Sequence, residues 1–182
     1  MVQAKIRHFL FSRRSLARFA AATRAATAVE FALIAPFFLA TLIAILEVGI
    51  YLFAQQALQT AAMQAGRLFM TGQAQTDSQT AFKNQICQSY LPTALFKCSA
   101  LIVVVQSYPS FAAANTSSPS LYSGGQPVTN FAYSPGTPGQ VMVVQLIYPW
   151  SVVNGPLGFT MANLPNNAAQ MMGVTAFRVE PY

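Results

Sequence analysis

The chain has 182 residues, of which only ten are Lys or Arg and four are Asp or Glu, so charged side chains make up 8% against roughly 25% in an ordinary soluble domain. That scarcity argues against a cytosolic enzyme. The net charge of +6 does not describe a nucleic-acid binder either, because such binding needs basic side chains spread over a folded surface. Here six of the ten cations (Lys5, Arg7, Arg13, Arg14, Arg18, Arg24) precede residue 25 with no acid among them.

The basic block is followed by 23 residues, 31–53, FALIAPFFLATLIAILEVGIYLF, whose single charge is Glu47. As a helix rising about 1.5 Å per residue, this segment covers roughly 34 Å, enough to cross a hydrocarbon core of about 30 Å. Each large apolar residue favours insertion by about 0.3–0.6 kcal/mol and one acid opposes it by about 3 kcal/mol. The fourteen Leu, Ile, Val and Phe residues outweigh it. Flanking cations stay on the cytoplasmic side, which places a leader, 1–25, inside the cell and everything beyond about residue 54 outside. A cleaved secretory signal fits poorly, since such signals carry a shorter apolar region followed closely by a small-x-small site.

Beyond Phe53 the sequence continues as AQQALQTAAMQAGRLFMTG, with Ala54, Leu58, Ala61, Ala62, Ala65, Leu68 and Phe69 at helical spacing. Gly72 is the expected stop. The spacing predicts one helix over 27–71, so that the long-helix region 26–72 leaves the membrane and runs on for several turns. The remainder, 73–182, reads as a separate head domain.

In the head, residues 78–90 (SQTAFKNQICQSY) predict an amphipathic helix with Ala81, Phe82, Ile86 and Tyr90 inward and Pro92 beyond its end. Strands are predicted over 100–108, 140–148 and 174–180 from their β-branched and aromatic content, with Pro149 closing the second. The Ser-, Pro-, Gly- and Asn-rich stretch 109–139 reads as a long connection with partly paired loops. Residues 154–173 read as loop with room for one short helix. The fold class is therefore α+β: a long N-terminal helix, a short second helix and a small antiparallel sheet.

Two features of the head bear on function. Cys87 and Cys98 are its cysteines, and in an oxidising compartment the default for such a pair is a disulfide. The rival reading, a metal or redox pair, lacks supporting ligands because the sole histidine, His8, lies in the leader. The second feature is the run of eighty residues between Lys97 and Arg178 without a charge. Such a surface is poorly protected against association, which implies cover by partners or by copies of the chain. No nucleophile has a histidine base, no Gly-rich phosphate loop occurs, and no cluster has metal-ligand spacing. The expectation is a non-enzyme with no cofactor, no metal, no nucleic acid and no small-molecule substrate.

The junction of leader and apolar helix carries the most information: Thr23-Arg24-Ala25-Ala26-Thr27-Ala28-Val29-Glu30-Phe31-Ala32-Leu33. A carboxylate at the start of an apolar helix, after a basic leader and small residues, resembles the prepilin processing site, where a membrane peptidase leaves Glu at the fifth mature position. Counting back from Glu30 places the cut between Ala25 and Ala26. Glycine commonly precedes that cut, and alanine stands there in this chain.

More closely, AVEFALIAPFFLATLIAILEVG resembles the TadE-like pseudopilins (minor pilins) of tight-adherence, or Flp, pilus systems, whose helices begin with Val-Glu-Phe-Ala and include a proline such as Pro36. The ending Ala176-Phe177-Arg178-Val179-Glu180-Pro181-Tyr182 is similar to endings in that family. The resemblance implies a bacterial inner-membrane protein with a cytoplasmic N-terminus and a periplasmic head. Its implied partners are the membrane, a prepilin peptidase, other pilin-like subunits and a pilus assembly platform, in the service of cell adhesion.

In physical terms, an unpaired carboxylate at the membrane edge is costly. A new amino terminus at Ala26 would supply a cation one turn from Glu30 or on a neighbouring chain. The alternative is a solvated acid suited to the helix dipole. Small residues recur at Ala28, Ala32, Pro36, Ala40 and Ala44, a ridge that permits close helix packing in lipid or is simply the alanine common in membrane spans. The runner-up for the whole chain is an uncut bitopic envelope protein anchoring a periplasmic binding module. A secreted enzyme freed by signal peptidase comes third.

Overall fold

A computed structural model describes residues 23–180 apart from 154, 156, 157 and 159; the expected leader up to residue 22 and the final Pro181 and Tyr182 lie outside the described residues. Helix α1 is described over Thr23–Met70 and so already includes residues before the expected 27. Proline at position 36 removes one rung of its backbone ladder, yet the helix continues through it. The chain divides into two compact units, one up to Ile45 and the other from Leu46 onward.

In the first unit α1 is apolar on every side and carries Phe31, Leu33, Ile34, Phe37, Phe38 and Ile43 exposed. A helix that is hydrophobic all round belongs in a core or a membrane. The most apolar stretch of α1 has none of its residues buried, which removes the core alternative.

From Leu46 the same helix becomes part of the head. Ala54, Leu58, Ala61, Ala62, Ala65, Leu68 and Phe69 are buried there, so the division between compact units falls within the helix and not after it. Gly72, at φ 76°, ends α1 with paired bonds from Gly72 N–H to the Phe69 carbonyl and from Gln73 N–H to the Leu68 carbonyl, 3.2 and 2.9 Å. This is the left-handed glycine cap expected from the sequence.

Helix α2, Gln79–Tyr90, is capped by Ser78, whose Oγ accepts from Ala81 N–H at 3.2 Å. It buries Phe82, Ile86 and Cys87. Ala81 and Tyr90, expected to point inward, are exposed. The phase is set by Phe82, whose ring centroid lies 4.7 Å from that of Phe69 on α1, and by Cys87, which is disulfide-bonded to Cys98 with Cα atoms 5.6 Å apart.

Strands β1 (Ile102–Tyr108), β2 (Tyr122–Ser123), β3 (Gln126–Pro127), β4 (Val141–Ser151) and β5 (Ala168–Arg178) follow. The main sheet is antiparallel in the order β1-β4-β5, with β2 and β3 a separate hairpin turning through Gly124 and Gly125, both at positive φ as a two-residue hairpin loop requires. The first strand thus opens at 102, two residues later than expected.

Pro149 does not close the second strand, because β4 continues through it to Ser151. The β1 register ends at Ile102 opposite Ile147, so beyond that point β4 has one free edge, the setting in which a strand tolerates proline. The third strand begins six residues before the expected 174. Ala168–Gly173, AAQMMG, has helical rather than strand propensity, but it pairs with β4 residue by residue from Ser151↔Ala168 to Leu146↔Gly173; pairing with a central strand overrides local preference. Of the short helix allowed for in 154–173, the described residues show one helical position, Gly158.

β4 is buried continuously from Val141 to Tyr148, as expected for a strand covered on both faces. One face (Met142, Val144, Leu146, Tyr148) joins the core of α1 and α2. The other meets Val104, Leu121 and Ile147 with Tyr122 and Phe131 beside them, so the long connection 109–139 covers the back of the sheet.

Candidate functional site

Glu30 and the small residues around it lie on the uncovered part of α1. Ala26, Ala28, Glu30, Ala32 and Pro36 are exposed, and Ala40 and Ala44 are half-buried. The Ala25–Ala26 bond and Glu30 both lie within the described helix.

The lower half of α1 holds the head by a set of contacts that the sequence does not announce. Gln55 Nε2 donates to the Met172 carbonyl at 2.9 Å. Gln59 does more: its Nε2 donates to the Val174 carbonyl at 2.9 Å and its Oε1 accepts from Val174 N–H at 3.0 Å. One turn apart on the helix, the two amides satisfy the backbone of β5, the edge strand of the sheet. An open strand edge invites pairing with another chain, and here side-chain amides occupy it.

The opposite edge is closed similarly. Val105 N–H donates to Ala132, Ser134 N–H donates back to the Val105 carbonyl, both at 2.9 Å, and Gln79 Nε2 reaches the Val103 carbonyl at 2.8 Å. A pair of glutamines four apart in an otherwise alanine-rich stretch is the signal that could have pointed to the helix clasp.

Close approach depends on glycine. A Cβ on Gly173 would lie 2.6 Å from the Leu58 carbonyl oxygen, and one on Gly66 would lie 2.8 Å from a Thr175 methyl. At the start of this unit Glu47, the one acid in the apolar run, accepts a 2.8 Å bond from Val153 N–H just beyond β4.

The head offers clefts but little chemistry. A cavity of about 320 Å³ between α2 and β1 is lined by Gln79, Thr80, Lys83, Ser99 and Leu101 among others; Lys83 Nζ donates to the Ser99 carbonyl at 3.1 Å, and burial lowers its pKa. The Tyr133 hydroxyl is buried without a hydrogen-bond partner among the described residues. Burial, and secondarily the charge of Asp77, push its pKa up to about 12. Among the described residues no group of three His, Cys, Asp or Glu could hold a metal. Both cysteines are spent in the disulfide that ties the end of α2 to the segment before β1.

The match to a known family falls on α1. The family model described as TadE-like protein matches residues 25–67, which takes in Ala25, Ala26, Glu30, the whole apolar stretch and most of the clasp. No curated protein and no solved structure matches the chain. The apolar N-terminal helix points to membrane anchoring, and the matched family to an association with the Tad pilus.

Proposed function

We propose that the protein is a pilin-like subunit of the inner membrane that takes part in assembling a tight-adherence pilus, acting by helix packing and without catalysis. The observation that carries this reading is the uncovered apolar half of α1 with one carboxylate, Glu30, near its start, inside the segment matched by the TadE-like model. In this account a prepilin peptidase removes residues 1–25. Glu30 then stands one turn from the new ammonium at Ala26, a spacing at which opposite charges pair, or meets the ammonium of a neighbouring subunit. Ala28, Ala32, Pro36, Ala40 and Ala44 form the ridge for other pilin helices and the assembly platform. The disulfide-stapled head lies in the periplasm.

The second reading is an uncut bitopic protein whose helix anchors a periplasmic binding module. It is favoured by the helical state of the Ala25–Ala26 bond, since a protease needs the helix opened there. Intact mass of the protein isolated from membranes of a host with the peptidase separates the two. The expected N-terminus is Ala26, with Ala25→Phe blocking the cut and Glu30→Gln leaving insertion intact while impairing pilus assembly. A mass retaining Met1 would establish the uncut anchor.

A further inference from the structure

The corner of the head built on the start of its own stretch of α1, from Leu46, has a chemistry of its own. On α1 the exposed apolar residues do not stop where packing with the head begins: Leu46, Ile50, Leu52 and Phe53 remain open, at 66, 50, 59 and 64% exposure. Leu46, Ile50 and Phe53 are spaced four and three apart and so share one helix face. The next exposed residues along α1 are Gln56 and Thr60, so the unbroken apolar face ends at Phe53, and Met63 stands alone beyond it. Beside this helix the loop after β4 presents Val153, which is 69% exposed.

The Val153–Glu47 bond fixes the depth of that loop. It places Val153 at the level of residue 47, six residues or about 9 Å below Phe53 along the helix axis. It also matches the only acid in the apolar run with a backbone N–H that lies past the paired end of β4. In water neither group needs the other. In a medium without water each unsatisfied group would cost several kcal/mol, and pairing them leaves an outer surface made of side-chain hydrocarbon.

We propose that this corner, the 46–53 face of α1 with the Trp150–Val153 segment, is a lipid-immersed foot of the head, sunk into the interfacial layer of the membrane that α1 enters. The inference rests on the membrane-anchored reading above. Lipid is the occupant because these residues follow directly in the sequence of α1 on the apolar stretch that the anchored reading places in the membrane, and because the 9 Å step falls within the depth of about 5–10 Å typical of interfacial segments. Trp150 belongs to a residue type that concentrates at this level. Glu47 acts as the latch that holds the loop down.

Trp150 is the only tryptophan in the chain, so its fluorescence reports on the foot without labelling. The full-length protein is reconstituted in phosphatidylcholine vesicles containing lipids with a nitroxide at a shallow or a deep acyl position, and iodide is added to the aqueous phase. Shallow nitroxides should quench Trp150 at least about twofold more than deep ones and iodide should quench little, as expected for the interfacial layer. Val153→Asp should still float with the vesicles but lose lipid quenching by about half or more.

Protein that floats yet is quenched by iodide and not by nitroxide lipid overturns the foot and leaves the anchor standing. Protection from iodide that vanishes as the protein is diluted in lipid overturns it in favour of a second copy. Failure to float overturns the anchor and the foot together.

Discussion

Helix α1 contains two regions built on different rules. Up to Ile45 it is apolar on every side and no part of its most apolar stretch is buried; from Leu46 it has an inner stripe of Ala54, Leu58, Ala61, Ala62 and Ala65 with glutamines beside it. The first region needs a low-dielectric surround to hide side chains. The second needs only the sheet, and its alanines let a strand come close enough that Gly173 meets the helix backbone. Continuous helix therefore does not mean a continuous environment, and the period of the pattern, all-round against striped, separates the two.

The sharpest test exchanges the same residue type in each region. Phe69 is fully buried on α1 while Phe38 is exposed. Phe69→Ala should destabilise the head by about 3–5 kcal/mol, and Phe38→Ala should leave head unfolding unchanged in detergent and weaken membrane insertion by only a few tenths of a kcal/mol. Thermal unfolding followed with limited proteolysis reads both, and equal effects would break the division.

Cys87→Ser comes next. A loop of this length contributes about 2–3 kcal/mol on the chain-entropy estimate, a large part of an ordinary stability of 5–15 kcal/mol. The expected outcome is a protease-sensitive head on a still-inserted helix. Thiols freely alkylated in the unreduced wild-type protein would remove the bridge from the account.

These contrasts also show what could be read from the sequence and what could not. The long helix, its Gly72 stop, α2, the disulfide and the α+β class were legible because each follows from local pattern: hydrophobic spacing, a capping glycine, β-branched runs, and two cysteines in an oxidising compartment. The errors were all tertiary. Ala81 and Tyr90 were misplaced because α2 takes its phase from Phe69 and from Cys98. Strand β5 was begun late because AAQMMG becomes strand only by pairing with β4, and Pro149 was taken for a terminator because the end of β1 is not visible in the sequence of β4. Gln55 and Gln59 carry no signal in the hydrophobic spacing, because their role exists only once β5 is the edge. For the candidate site, the Glu30 junction was legible as a motif, whereas Glu47, counted only as a cost to insertion, finds its partner 106 residues away.

A smaller effect compares two glycines of the second region. A Cβ at Gly173 meets the Leu58 carbonyl at 2.6 Å, whereas one at Gly49 meets nothing within 4 Å. Gly173→Ala should cost about 1–3 kcal/mol through forced backbone separation. Gly49→Ala, in an exposed helical position, should be neutral or stabilising by roughly 0.5–1 kcal/mol. If both behave alike, the close helix–strand approach does not exist in solution.

The smallest effect lies in the head, where Tyr133 makes aromatic contacts with Phe69 and Phe82 at centroid distances of 6.5 and 6.2 Å while its hydroxyl has no partner among the described residues. Burial first, and the charge of Asp77 second, raise its pKa from 10.0 to about 12. A raised folded-state pKa means that the neutral phenol is the form the fold prefers. Its stabilisation is complete below the unfolded value near 10 and is lost as pH climbs toward 12. Tyr133→Phe removes the titrating group, and because no hydrogen bond is broken the change at neutral pH should stay within about 0.5 kcal/mol. The difference should emerge only in alkali, where wild-type stability falls more steeply than that of the variant. Denaturant unfolding of both proteins between pH 9 and 12, a window set by those two pKa values, measures it, and parallel curves across that window would show that the phenol is hydrated and that the contact between α1, α2 and the 109–139 connection is looser than the ring distances imply.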